Sequence, residues 1–293
     1  MSNPVLIRLF DAQSTLYLVV AFGVLTLATG VALLLGRHNR YTSYLRYLWI
    51  MALGVAVAET VSLTPAVWIL AVLSFWMLRE YFSLVEIRIQ DRLGILGAYL
   101  SIPFMTYFIQ TDWYGMFIIS IPVYAFLAMP LLVSLGGTQY RGTVFSIGVI
   151  DLGLFLCVYC IGHVAYLISL STWWAAMFVA CVAVCDLLCR LRYGRAPKYW
   201  QRLLIWYGAS AVCAVGVTFA LSQMTGIPAK HNLILGLLIP ALVVAGQHTL
   251  MYVERDLSIE ESPRAGHGQI LDNLKSLFYA GPVVFHYLRY FVL

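Results

Sequence analysis

The chain has 293 residues, of which 62% are hydrophobic and only 11% charged. A soluble domain carries about a quarter charged residues, so a water-soluble enzyme is excluded and an all-α, polytopic membrane protein is expected. The apolar runs are continuous rather than alternating, which excludes an outer-membrane barrel. The net charge of +5 is split among short loops and gives no nucleic-acid signal.

A membrane-spanning helix needs roughly 20 apolar residues, and this requirement places nine or ten spans. The first runs from Thr15 to Leu35, followed by a basic loop with Arg37, Arg40 and Arg46. Two short spans, Leu48 to Leu63 and Pro65 to Leu78, are expected to part at Thr64-Pro65, because proline disfavours helix at the residue before it. Arg92 to Phe108 is the fourth. Trp113 to Ser134 is the fifth, with Pro122 and Pro130 as expected kinks. Gly142 to Leu170 is long enough to be tilted or broken near Gly162-His163. Trp173 to Cys189 ends on Asp186, before the most basic loop of the chain. Leu203 to Leu221 and Asn232 to Val253 follow. A polar loop over 254–276 precedes a tenth segment, Leu277 to Leu293. The chain reads as one membrane domain over 1–293, without internal repeat or cleavable signal peptide.

The distribution of basic residues orients this arrangement. With the loop after the first span in the cytoplasm, fifteen of the 18 lysines and arginines fall on that side. Only Arg8, Lys230 and Arg289 fall on the other. A multi-pass protein of a bacterial inner membrane is expected, with the loop 254–276 facing the cytoplasm.

Polar residues in apolar segments are the candidates for chemistry. Glu59, Asp151 and Asp186 are carboxylates that cost a few kcal/mol unless they face a partner inside the protein. His163 and His248 fit an imidazole bonded to a backbone carbonyl better than a ligand site. Cys181, Cys185 and Cys189 share one helix face, and Cys157 and Cys160 form a CxxC. A thiolate metal site there would need deprotonation in hydrocarbon, whereas cysteine packs readily as a small hydrophobe.

Four stretches carry a family resemblance. They are Ser74-Phe75-Trp76-Met77-Leu78-Arg79-Glu80-Tyr81; Asp186 with Tyr193-Gly194-Arg195 and Pro197-Lys198; Gly246-Gln247 with Glu254-Arg255-Asp256; and Gly266-His267-Gly268-Gln269-Ile270-Leu271-Asp272-Asn273-Leu274-Lys275-Ser276. Together, over residues 46–293, they resemble the phosphatidate cytidylyltransferases, or CDP-diacylglycerol synthases. That family joins the phosphate of phosphatidate to the α-phosphate of CTP, with metal ions neutralising charge. The resemblance implies that Asp186, Lys198, Arg255, Asp256, Gly266, His267 and Gly268 bind substrate, and that Asp272 and Glu261 hold a metal, Mg²⁺ if the protein is active.

The chain departs from the family pattern at charged positions. Gln247 and Lys275 stand where the family has acids, Glu254 and Glu260 where it has lysines, and Asn273 where it has arginine. No residue is therefore assigned a catalytic role. The expected function is a degenerate, non-catalytic homologue in phospholipid or lipid-linked glycan metabolism. It would bind an anionic phospholipid, a lipid-linked phosphate or a partner membrane protein, and a homodimer is possible. The alternatives are an active cytidylyltransferase with rearranged ligands and a transporter using the intramembrane carboxylates.

Overall fold

A computed structural model describes residues 12–34, 40–137, 140–191, 199–256 and 269–293. Every regular element among them is helical. This follows from the solvent: in hydrocarbon each backbone N–H and C=O must be satisfied within its own segment. Ten long helices result, labelled α1 (Ala12–Leu34), α2 (Arg40–Thr60), α3 (Leu63–Leu84), α4 (Arg92–Gln110), α5 (Tyr114–Leu135), α6 (Thr143–Leu170), α7 (Thr172–Leu191), α8 (Tyr199–Ala220), α9 (Ala229–Asp256) and α10 (Gln269–Phe291). All but α2 and α10 contain a segment long and apolar enough to cross a membrane by length and composition alone. The chain is a multi-pass membrane protein.

The bundle is organised on the second half of α6. Every residue from Leu156 to Ile168 is buried, as expected of a helix that is apolar all round. Helices α3, α4, α7 and α10 pack around it, and α9 lies between α8 and α10. Helix α1 is peripheral and mostly exposed. It is fastened by Trp49 Nε1 donating to Thr29 Oγ1 at 3.2 Å and by the Tyr17 hydroxyl reaching the carbonyl of Ala220.

Several boundaries differ from the sequence expectation. The break between α2 and α3 falls at Val61–Ser62, and Thr64-Pro65 lies inside the first turn of α3. A proline there loses nothing, because the first helical N–H groups have no partner in the helix. Helix α3 runs through Arg79-Glu80-Tyr81 to Leu84 rather than stopping at Leu78. The widening of α6 is a π turn at Phe155–Cys160, not a break at Gly162-His163. Just before it, Gly153 faces Tyr81, where an added Cβ would sit 2.6 Å from the ring. Tyr81 in turn donates its hydroxyl to the carbonyl of Val149 at 2.9 Å. In α5 the distortion expected at Pro122 is a π turn, Ser120–Ala125, that accommodates the missing N–H. The expected loop 254–276 is helical at both ends, since α9 continues to Asp256 and α10 begins at Gln269. Asp272 and Ser276 are therefore one turn apart on a helix.

Candidate functional site

Four helices bring polar side chains together one to two turns inside the same end of the bundle. At the centre is Asp186 of α7, 2% exposed. The Tyr44 hydroxyl of α2 donates to its Oδ2 at 3.0 Å. Its Oδ1 accepts from Gln247 Nε2 of α9 at 2.6 Å and from the Ser276 hydroxyl of α10 at 2.6 Å. Gln247 Nε2 also lies 3.3 Å from Ser276 Oγ, and Cys189 Sγ donates to Gln247 Oε1 at 3.2 Å. The orientation of the carboxamide is chemically consistent: its NH₂ faces the acceptor-only carboxylate and its oxygen faces the thiol.

Local sequence explains the convergence. Gly246 precedes Gln247, and a Cβ there would come within 3.3 Å of Tyr279 Cβ and 3.4 Å of the carbonyl of Lys275. The small residue lets α9 and α10 approach closely enough for Gln247 and Ser276 to share one acceptor. On α10, Asn273 and Ser276 are buried, Asp272 and Lys275 are half-buried, and Tyr279 is exposed.

The second contact between resemblance stretches is at the start of α10. Glu80 Oε2 accepts from the backbone N–H of Ile270 at 2.8 Å and of Leu271 at 3.0 Å. The first N–H groups of a helix lack intrahelical partners and carry partial positive charge, so a carboxylate is a favourable cap there. Glu80 thus ties α3 to the segment that carries Asp272.

The residues expected from sequence are placed unevenly. Asp186 is the centre of the cluster. Asp272 stands one turn from Ser276, about 6 Å along the helix axis. Its Oδ1 pairs with Lys275 Nζ at 2.7 Å, with side chains 34% and 16% exposed. Arg255 and Asp256 are exposed at the last turn of α9. Lys198, Glu261, Gly266, His267 and Gly268 lie outside the described residues. Tyr44, Ser276 and Glu80 carry no role in the sequence expectation, in which Gln247 stands only as the loss of an acid.

The described residues do not fit a Mg²⁺ centre. Such an ion demands oxygen ligands at about 2.0–2.1 Å in near-octahedral geometry. Both oxygens of Asp186 accept N–H and O–H donors. Asp272 carries an ammonium on its oxygen. Among the described residues no three His, Cys, Asp or Glu side chains group as a ligand set. The six cysteines form no disulfide, and Cys181 gives its thiol to the carbonyl of Ala214. His163 bonds the backbone carbonyl of Tyr159 at 2.8 Å, and His248 packs edge-on to Tyr252.

No family model matches this chain, and no solved structure matches it. Among curated proteins it is similar to the uncharacterized protein YnbB of Escherichia coli (strain K12). The two are 24% identical over 237 residues, covering 75% of this chain and 78% of that protein.

Proposed function

We propose that this protein is a membrane-integral, phosphatidate cytidylyltransferase-like protein that binds an anionic lipid phosphate at the Asp186 end of the bundle and does not transfer nucleotide. That end faces the cytoplasm of a bacterial inner membrane in this reading, because the basic loops cluster there. The observation that carries it is the 2.6 Å bond from Gln247 Nε2 to Asp186 Oδ1. A carboxamide donor takes the lone pair that a metal-assisted phosphoryl transfer would need for its cation. The residue that replaces an acid of the family pattern thus closes the position it would have opened.

The same end keeps cations on its surface. Lys275 lies next to Ser276 on α10, half-buried with its ammonium on Asp272, and Arg255 is exposed at the end of α9. Each ammonium or guanidinium near an anionic membrane surface is worth about 1 kcal/mol. A lipid phosphate fits this reading better than a triphosphate, because the sequence places Glu254 and Glu260 where the family pattern has lysines.

The test is binding of phosphatidate to the purified full chain by native mass spectrometry. Phosphatidate is expected to be retained over phosphatidylcholine, and Lys275→Gln and Arg255→Gln are each expected to weaken retention. Equal retention of the two lipids by the unaltered protein would refute the proposal.

A further inference from the structure

Helix α6 carries a second carboxyl that the Asp186 site does not use. Asp151 stands eight positions in from Thr143, roughly 12 Å along the helix axis. It lies inside a segment long and apolar enough to cross a membrane. A carboxylate at such a depth costs a few kcal/mol unless a partner meets it. Asp186 meets three donors. Asp151 is half-buried, and its Oδ2 is enclosed without a hydrogen-bond partner among the described residues. None of their cations lies within ion-pair distance of it.

The face around Asp151 is uncovered. Val144 is 85% exposed, Phe145 59%, Leu152 39% and Phe155 44%. At Gly148 no atom lies within 4 Å of the place where a Cβ would stand. Positions 144, 148, 151 and 155 follow i, i+4, i+7 and i+11 spacing, which aligns them along one side of the helix. Apolar side chains facing lipid need nothing more, but a carboxyl among them does, because lipid tails offer no donor.

Charge selects what covers this stripe. Neither α5 nor α6 contains a lysine or arginine. A second copy docked here through the same face would bring apolar side chains and another carboxylate, and like charges repel. A helix with a cation at the same depth would satisfy both charges. Gly148 leaves room for its backbone to come close, as small residues do between membrane helices.

We propose that the 144–155 stripe of α6 docks, inside the membrane, a helix of another protein that carries a lysine or arginine level with Asp151. The cation donates to the Asp151 carboxylate, and Val144, Leu152 and Phe155 pack against the flanks of that helix.

The experiment measures energy transfer between the dye-labelled full chain and dye-labelled synthetic helices in phosphatidylcholine vesicles. Two leucine–alanine helices of spanning length differ at one position about two turns from an end, lysine in one and leucine in the other. The lysine helix is expected to associate about tenfold more tightly with the unaltered protein, as one interhelical polar contact allows. Asp151→Leu, an apolar change on a lipid-facing stripe, should erase that difference. Gly148→Phe fills the open space and should weaken association of the lysine helix while Asp151 stays in place. Equal association of the two helices with the unaltered protein would overturn the proposal, as would a lysine preference that persists in Asp151→Leu or is indifferent to Gly148→Phe. Self-association of the unaltered chain that Asp151→Leu abolishes would assign the stripe to a second copy and overturn it as well.

Discussion

Gln247 gives its carboxamide N–H to Asp186 at 2.6 Å, and the two residues belong to different helices 61 positions apart. A buried carboxylate is costly unless donors surround it. Here a tyrosine, a serine and a glutamine from three further helices supply them. The arrangement makes one aspartate a junction for α2, α7, α9 and α10.

Removing one donor should therefore be costly, and removing the shared acceptor more so. Gln247→Leu is expected to destabilise the protein by about 2–3 kcal/mol, because a hydrogen bond to a charged group is lost inside the fold. Combining it with Asp186→Leu should deepen that loss, since Tyr44 and Ser276 then lose the acceptor they share with Gln247. Thermal unfolding in detergent reads both variants. A double variant more stable than Gln247→Leu alone would show that Tyr44 and Ser276 do not depend on Asp186.

Glu80 should protect the start of α10. Glu80→Gln keeps the shape and removes the charge from the two backbone N–H groups of Ile270 and Leu271. A cap is worth about 1 kcal/mol, roughly a fivefold change in the opening equilibrium. Hydrogen exchange of those two amides should quicken by about that factor, and unchanged exchange would remove Glu80 from the account.

Close backbone contact makes a third expectation. At Gly236 an added Cβ would meet Val215 Cα at 2.7 Å and its nitrogen at 2.9 Å, and backbone cannot rotate out of the way. Gly236→Ala should push α8 from α9 and cost about 1–3 kcal/mol. Gly216, which has open space beside it, is the control, and Gly216→Ala should leave the unfolding temperature in place.

The orientation has its own test. Single cysteines at positions 195 and 230, on a background lacking the native six, should label differently with an impermeant reagent in intact cells. Arg195→Cys is expected to stay unlabelled and Lys230→Cys to label. The reverse pattern would invert the topology and with it the side on which the Asp186 cluster lies.

The helical membrane architecture was legible because apolar length alone enforces it, and Asp186 stood out as a carboxylate in an apolar run. Helix ends were less legible. Pro65 suggests a break, although a proline in the first turn is tolerated, so the α2–α3 turn falls earlier than the sequence expectation. The start of α10 reads as loop because its polar residues mask a helix on which Asn273 and Ser276 are buried and Asp272 and Lys275 are half-buried. The partners of Asp186 come from positions 44, 247 and 276, and no local pattern announces such long-range pairs. Gln247 registered only as a missing acid, since a carboxamide signals nothing until its acceptor is in view.

The claim that this cluster holds lipid phosphate without nucleotide chemistry is tested most directly by incubating the purified full chain with labelled CTP, phosphatidate and Mg²⁺. No CDP-diacylglycerol above a protein-free control is expected, because Asp186 is engaged by Gln247, Ser276 and Tyr44. Formation of CDP-diacylglycerol that requires Mg²⁺ and disappears in Asp186→Asn would contradict it.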